Sequence, residues 1–401
     1  MHSYIEILER DHPVLLIGFS HIETPPGYYS QYRVLKQLPY SLMFLNCPEN
    51  SYYLRAIPGI GDDVTGIART LEQRIAGIAP KRVVCFGNSM GAFGALLYGM
   101  LLGADLVIAV GPEVLLGTKG CAMNSAARDK GIADDAHAKG LINLIRSRPH
   151  VRKIALFGEK SLPDMVCALA LQEIGEDCFS IRNCFHSVAP FIHGSVDLAS
   201  FIADCVDGGS DVAFLRDHRG DFITCTDAIR RLYDGMYLTG RLADVETLGR
   251  SLPPNASDAS LSYIYGASAR RSMQAGARTL ALALVSAAYA LNPSDIEAVT
   301  LLLRWGHGRA FASSVRPESL IDAIRLHRFD TTTSYLRFLA AILTTDGLAG
   351  EAVRREIDAV ISNDRLRTRL LSEVAAIRVE RSDAGAGWDE HHGPAVARRH
   401  A

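Results

Sequence analysis

The chain has 401 residues, with 42 lysines and arginines against 44 aspartates and glutamates, so its formal net charge is −2 at pH 7. Because binding of nucleic acid or of an anionic membrane usually needs a strongly basic surface, this balance argues against both partners. Hydrophobic residues make up 48% of the chain, enough for a large core, and the length predicts two or three domains.

The sequence also gives expectations about cellular location and metal binding. The longest apolar runs, such as residues 14–19, are far shorter than the roughly 20 residues of a membrane span. Residues 6–11 are too acidic for a secretory signal peptide. The cysteines are scattered, several of them inside apolar runs, which favours buried thiols over disulfides or a zinc site. We therefore expect a cytoplasmic protein without a metal or other cofactor.

The first predicted elements are two short strands near the N-terminus. Residues 13–19 read as a buried strand that ends in a glycine-containing turn, and residues 42–45 read as a second strand. The segment 50–59 that follows is rich in aromatic residues. These tyrosines either belong to a functional loop or simply pack a surface loop.

The next predicted strand, residues 82–86, leads into Gly87-Asn88-Ser89-Met90-Gly91 and then into a helix with apolar residues at helical spacing over 92–101. A G-x-S-x-G motif between a strand and a helix is typical of a nucleophile elbow, a sharp turn that exposes the serine hydroxyl. Ser89 is therefore the candidate nucleophile. The alternative is an ordinary strand-to-helix turn in which Ser89 caps the helix.

A candidate acid follows the next predicted strand, residues 151–157. The polar loop 159–164 leads into a helix predicted over 165–174, and Asp164 lies at the start of that helix. Asp164 is the preferred acid, although it would also serve as a helix cap. Glu159 is the alternative acid because it follows the strand more closely.

A candidate base follows the strand predicted over 177–182. His186 comes directly after it, whereas His193 falls inside the next predicted helix and is the less favoured alternative. The carboxyl ends of parallel strands meet at one edge of a sheet, so Ser89, Asp164 and His186 are expected to lie together. A serine needs such a base, and the base needs a group that orients it.

With these motifs in the order serine, acid, histidine, residues 1 to about 205 resemble the α/β-hydrolase superfamily. The resemblance implies a mostly parallel sheet with helices on both faces and a triad in which His186 takes the Ser89 proton and Asp164 fixes the imidazole. It also implies an oxyanion hole formed by backbone N–H groups, one from Met90 and the other from Phe19 or Ser20, with Phe19 preferred. The aromatic segment 50–59 loosely resembles hydrolases of bacterial surface-glycan synthesis and modification.

The second half of the chain reads as helices alone. The strand signal stops in the Gly/Asp/Ser-rich stretch 204–211, which predicts a hydrolase-like domain over 1–207, an all-α domain over 208–380 and a disordered tail over 381–401. Small residues in 278–293, with Tyr265 and Ala269 before them, resemble a tetratricopeptide repeat; the alternative is a generic helical bundle. Further helices are predicted over 294–305, 317–328, 333–344, 348–361 and 364–379.

Two functions follow from this pattern. The first is a serine esterase that cleaves or transfers an acyl group through an acyl-Ser89 intermediate, acting on acylated glycans or small esters, with the helical half available to a protein partner. The second is a non-catalytic binding protein whose helical half docks a partner. A scaffold has no need of Ser89, Asp164 and His186 together, so the first hypothesis is preferred.

Overall fold

A computed structural model of the protein divides into two compact units, Met1–Asp295 with Arg325–Asp330 and Ile296–Ile324 with Thr331–Ala401. The residues that the structure describes are 3–121, 130–208, 212–239, 257–305, 315–328, 333–345, 347–361 and 364–385.

Within the described residues, seven strands of the first unit form one sheet. They are β1 (Ile5–Leu8), β2 (Val14–Phe19), β3 (Ser41–Leu45), β4 (Arg82–Asn88), β5 (Leu106–Val110), β6 (Arg152–Gly158) and β7 (Cys178–Ile181). Their order across the sheet is β1-β3-β2-β4-β5-β6-β7. Only β1 runs antiparallel to its neighbour, so the loops after the other six strands leave the sheet at one edge.

Helices cover both faces of this sheet. They are α1 (Tyr32–Leu35), α2 (Val64–Ile78), α3 (Met90–Leu102), α4 (Ala136–Arg146), α5 (Leu162–Gln172), α6 (Val188–Ser195) and α7 (Leu198–Gly208). Side chains alternate along each strand: Leu15 and Ile17 of β2 enter the core under α2 to α5, whereas Leu16 enters the core under α1, α6 and α7. The α/β-hydrolase-like fold class is therefore confirmed.

Two strands were not predicted from the sequence, β1 and β5. β1 carries a charged residue in the alternating run Ile-Glu-Ile-Leu and lies at the edge of the sheet. β5 is an entirely buried apolar run, and such a run does not distinguish a strand from a core helix.

The first unit continues well past the boundary expected near residue 207. Residues 218–220 return to the sheet and pair with β7, where the Arg182 N–H donates to the His218 carbonyl at 2.8 Å and the Gly220 N–H to the Ser180 carbonyl at 2.7 Å. Further helices follow: α8 (Ala213–His218), α9 (Thr226–Tyr233), α10 (Asp258–Gln274) and α11 (Arg278–Leu291). The main part of the first compact unit thus ends at Asp295 and not at residue 207. The expected boundary between two domains at 207/208 stays a prediction.

The helices α10 and α11 pack against each other as a hairpin, the segment where the tetratricopeptide resemblance was placed. Small buried side chains, among them Ala269, Ala281 and Ala288, allow the two helices to approach closely. Tyr265 is partly buried. A helical hairpin occurs in many folds, so the repeat stays a prediction.

The described part of the second unit is entirely helical in its regular structure, as expected from the sequence. Its helices are α12 (Ile296–Arg304), α13 (Pro317–Leu326, the last two residues belonging to the first unit), α14 (Thr333–Leu343), α15 (Glu351–Val360) and α16 (Asp364–Gly385). Helix α14 packs against both α12 and α16 and buries Leu336, Phe338 and Leu339. Helix α16 extends to Gly385, into the segment expected to be a tail, and residues 386–401 lie outside the described residues. None of the described helices has the length and apolar character that a membrane crossing requires.

Candidate active site

The G-x-S-x-G segment forms a sharp turn between β4 and α3. Ser89 sits between them with φ 55° and ψ −121°, a combination that a side-chain-bearing residue rarely adopts. Its side chain makes no capping hydrogen bond to the helix. The structure thus gives no support to the capping alternative, and the hydroxyl is available for another partner.

Two glycines allow this turn because backbone atoms crowd them. A Cβ on Gly87 would lie 2.1 Å from the Gly91 carbonyl oxygen, and a Cβ on Gly91 would lie 2.2 Å from the Phe19 carbonyl oxygen. Since real Cβ atoms do not approach backbone so closely, both positions require glycine. The first turn of α3 is consequently packed directly against the end of β2.

Ser89, His186 and Asp164 form a continuous hydrogen-bonded array. The Ser89 Oγ lies 2.9 Å from the His186 Nε2, and the His186 Nδ1 lies 2.9 and 3.0 Å from the two Asp164 carboxylate oxygens. With Nδ1–H donating to the carboxylate, Nε2 of the neutral imidazole is free to accept the serine proton. Ser89 is 5% and Asp164 3% exposed, whereas His186 is partly exposed, so the array opens to solvent at the imidazole.

The loops after β6 and β7 hold the acid and the base together. A Cβ on Gly158 would lie 1.9 Å from the Phe185 carbonyl oxygen, so the two loops run in direct backbone contact. The Lys160 N–H also donates to the Cys184 carbonyl at 2.8 Å. Asp164 then projects from the first turn of α5, and His186 lies just before α6.

Glu159, the alternative acid, is directed away from this array. Its carboxylate accepts hydrogen bonds from the Phe222 N–H at 2.7 Å and from the Ser260 hydroxyl at 3.3 Å. Burial raises the pKa of Glu159, and the carboxylate of Asp221 adds to this effect. Glu159 therefore ties the acid loop to Phe222 and Ser260, and Asp164 is the carboxylate in contact with His186.

The alternative base lies elsewhere as well. His193 is in α6, with its Nδ1 3.8 Å from the Asp197 carboxylate and 3.4 Å from the Leu198 N. These contacts lie in the link to the next helix and at its first residue. Among the histidines weighed from the sequence, His186 is the one that the structure brings to Ser89.

The expected oxyanion donors lie at the same point of the sheet. Met90 begins α3, where the first N–H groups of a helix have no acceptor within the helix. Phe19 is the last residue of β2 and lies beside Gly87 in the neighbouring strand. The Ser20 N–H already donates to the Leu45 carbonyl at 2.9 Å, which weighs against Ser20 as the second donor. Met90 and Phe19 stay predictions.

The electrostatic environment of His186 favours its charged form. Burial opposes the charge, but the carboxylate of Asp164, through its charge and its hydrogen bond, and then that of Glu113 outweigh it and raise the pKa of His186 to about 9. At neutral pH the resting imidazole is accordingly held in large part as the imidazolium.

Two buried polar residues near this site, Glu113 and Tyr52, were not candidates from the sequence. Glu113 follows the unpredicted strand β5 and is 1% exposed, and it accepts a hydrogen bond from the Tyr52 hydroxyl at 2.5 Å. Tyr52 and Tyr53 are fully buried, so the tyrosines of the aromatic segment do not pack a surface loop. The many aromatic residues in 50–59 could have drawn attention to Tyr52. A single glutamate in a loop, such as Glu113, carries no comparable sequence pattern.

Within the described part of the chain, no group of three or more histidine, cysteine, aspartate and glutamate side chains is placed to hold a metal ion. The eight cysteines are all buried thiols. The arrangement that the structure does show is a serine hydroxyl in contact with an imidazole, which in turn contacts a carboxylate.

Comparison with known proteins gives likenesses of fold at low identity. No protein-family model matches this chain. No curated protein matches it either. Among solved structures, an α/β-hydrolase enzyme from the metagenome of lagoon sediments at Mar Chica, Morocco, is 13% identical with a TM-score of 0.38, covering 52% of this chain and 97% of that one.

Two further solved structures are similar at the same level. The capsule O-acetyltransferase of Neisseria meningitidis serogroup A is 14% identical with a TM-score of 0.37, covering 51% of this chain and 90% of that one. A glycosylation-associated protein complex from Streptococcus agalactiae is 12% identical with a TM-score of 0.36, covering 53% of this chain. The chain spans about half the length of that streptococcal chain (47%). At these identities the likeness concerns the fold and assigns no activity.

Proposed function

We propose that this protein is a serine acyl hydrolase or acyltransferase, most simply an esterase, with Ser89 as nucleophile, His186 as base and Asp164 as the residue that orients the base. The observation that carries the proposal is the unbroken array from the Ser89 hydroxyl through His186 to Asp164, with 2.9 Å between Oγ and Nε2. The strained backbone at Ser89 supports it, since such strain is typical of functional positions.

The proposed reaction begins when Ser89 Oγ attacks the acyl carbon and its proton passes to His186 Nε2. The N–H groups of Met90 and Phe19 stabilise the resulting oxyanion. Collapse of the tetrahedral intermediate breaks the bond to the alcohol, which leaves with the proton from His186 and leaves the acyl group on Ser89. A water molecule, or a sugar hydroxyl in the transferase variant, then loses its proton to His186 and attacks the acyl carbon. The bond to Ser89 Oγ breaks, and Ser89 takes back the proton from His186.

Covalent labelling tests the proposal without knowledge of the substrate. We expect a fluorophosphonate probe to form a single adduct with the wild-type protein by intact mass, because an activated serine displaces the fluoride. The Ser89→Ala variant should form none. Ser161→Ala is the matched control, since Ser161 lies in the acid loop and its side chain makes no capping hydrogen bond, and it should label at the wild-type rate.

Failure to label would point the other way. If the well-folded wild-type protein gives no adduct, Ser89 is not activated and the binding-protein hypothesis takes precedence. An adduct that persists in Ser89→Ala would place the reactive serine elsewhere.

The pH dependence of labelling provides a further prediction. Only the neutral imidazole accepts the serine proton, and the pKa of His186 is raised to about 9. We therefore expect the labelling rate to climb through neutral pH and to level off above about pH 9. Rate constants measured across this range check the prediction, and a rate that is already constant from about pH 7 upward would contradict it.

A further inference from the structure

Glu113 lies in the loop that follows β5, between the strand that leads to Ser89 and the strand that leads to Asp164. This loop runs along the catalytic imidazole: a Cβ on Gly111 would lie 3.2 Å from the His186 carbonyl oxygen and 3.6 Å from the His186 Cε1. Gly111 has φ +61° and its N–H donates to the Leu156 carbonyl at 2.7 Å, which fixes the course of the loop. Glu113 follows two residues later and is 1% exposed.

The partner of Glu113 comes from a strained segment. Tyr52, whose hydroxyl donates to the Glu113 Oε2 at 2.5 Å, has φ +54°, and its neighbours Asn50 and Tyr53 have φ +54° and +60°. Such left-handed conformations are unfavourable for residues with side chains. The Tyr53 hydroxyl anchors the segment by donating to the Ser20 carbonyl at 2.8 Å. The backbone is thus strained at the residue whose phenol, that of Tyr52, contacts the buried carboxylate of Glu113.

Tyr52 remains a hydrogen-bond donor in this environment. Burial raises the pKa of Tyr52, and the neighbouring charge of Glu113 raises it further. The phenol therefore keeps its proton at neutral pH and donates a hydrogen bond to the Glu113 carboxylate.

We propose that Glu113 is a second carboxylate of the catalytic site, a positioning residue that acts through His186 by stabilising its imidazolium form. The proposal rests on the proposed serine chemistry, in which His186 becomes positively charged each time Ser89 attacks. The same negative charge lowers the fraction of His186 that is neutral at neutral pH. The resting site is therefore less reactive, whereas the charged imidazole is more stable.

Among the described residues, three titratable groups raise the pKa of His186. They are Asp164 and Cys167 of α5 and Glu113 of the loop after β5. Cys121, a further buried thiol, lies near Glu113. Glu113 is therefore the carboxylate besides Asp164 whose charge a substitution can remove.

The experiment compares Glu113→Gln with the wild-type protein by a ¹³C NMR titration of the His186 imidazole, assigned with His186→Ala, and by the pH profile of fluorophosphonate labelling. Glutamine keeps the shape and an oxygen for Tyr52 but removes the charge. We expect the His186 titration midpoint and the labelling inflection both to move to lower pH by roughly 1 unit, the scale of a nearby charge. Glu72→Gln, on the exposed face of α2, is the matched control and should leave both unchanged.

Glu113→Asp serves as the conservative variant, because it retains the charge. Its midpoint should stay near that of the wild type, because the charge remains in the loop, and this expectation can be tested even if Glu113→Gln is poorly folded. Equal midpoints in wild type and Glu113→Gln, or an equal shift in Glu72→Gln, would overturn the proposal. The NMR titration requires no activity, so a midpoint shift in a protein that does not label would refute the serine chemistry and leave the coupling of Glu113 to His186 intact.

Discussion

The His186→Ala variant is expected to react with a fluorophosphonate at least about 10⁴-fold more slowly than the wild-type protein, because a triad acts as a unit and its serine is a poor nucleophile without the base. Alanine removes the Nε2 that lies 2.9 Å from the Ser89 Oγ. The measurement is the second-order rate constant of labelling, with far-UV circular dichroism to verify folding.

The same assay separates the two candidate acids. Asp164→Asn should lower the rate by roughly 10³-fold or more, since an amide favours the wrong imidazole tautomer. Glu159→Gln is the matched variant, a similar carboxyl-to-amide change whose hydrogen bonds run to Phe222 and Ser260 instead of His186. It should label at close to the wild-type rate while lowering stability. The reverse ranking would assign the acid role to Glu159.

The second large effect concerns stability. Lys160 and Asp295 form an ion pair with 2.8 Å between Nζ and Oδ2, and their side chains are only 2% and 3% exposed. Lys160→Met removes one ion of this buried pair, and breaking a buried pair in this way lowers the free energy of unfolding by about 3–5 kcal/mol. Urea unfolding followed by circular dichroism measures the loss.

The double variant Lys160→Met/Asp295→Leu is the control for this prediction. Removing both charges leaves no uncompensated ion, so much of the lost stability should return. The Ser262 hydroxyl, which donates to the same aspartate oxygen at 3.1 Å, would lose a partner and limit the recovery. A single variant as stable as the wild type would mean that the pair is accessible to water in solution.

Local sequence was sufficient for the features that depend on local geometry. The elbow was predictable because the turn requires one glycine before Ser89 and one after it, Gly87 and Gly91. The strands β4, β6 and β7 could be placed from their apolar runs. The expectation that Ser89, Asp164 and His186 lie together then followed from the rule that parallel strands end at one edge. These are constraints that the chain must meet within a few residues of each motif.

Long-range contacts were not predictable in the same way. Nothing in the composition of 204–211 indicates that residues 218–220 return to pair with β7, or that Glu159 accepts a hydrogen bond from Phe222, 63 positions later. Glu113 and Tyr52 are 61 positions apart, and their contact depends on the sheet order that places β5 between β4 and β6. Such contacts join residues that are far apart in sequence. They depend on the order of the strands in the folded sheet, which no local pattern in the sequence reveals.

The return of residues 218–220 to the sheet has a consequence for the exposure of its edge. A strand at the edge of a sheet exposes unpaired N–H and C=O groups that another chain can join. Here the Gly220 N–H pairs with the Ser180 carbonyl of β7, and the His218 carbonyl pairs with the N–H of Arg182, the residue after β7. A chain cut at the boundary that composition suggests would leave that edge bare, so the segment after residue 207 also protects the sheet against edge-to-edge aggregation.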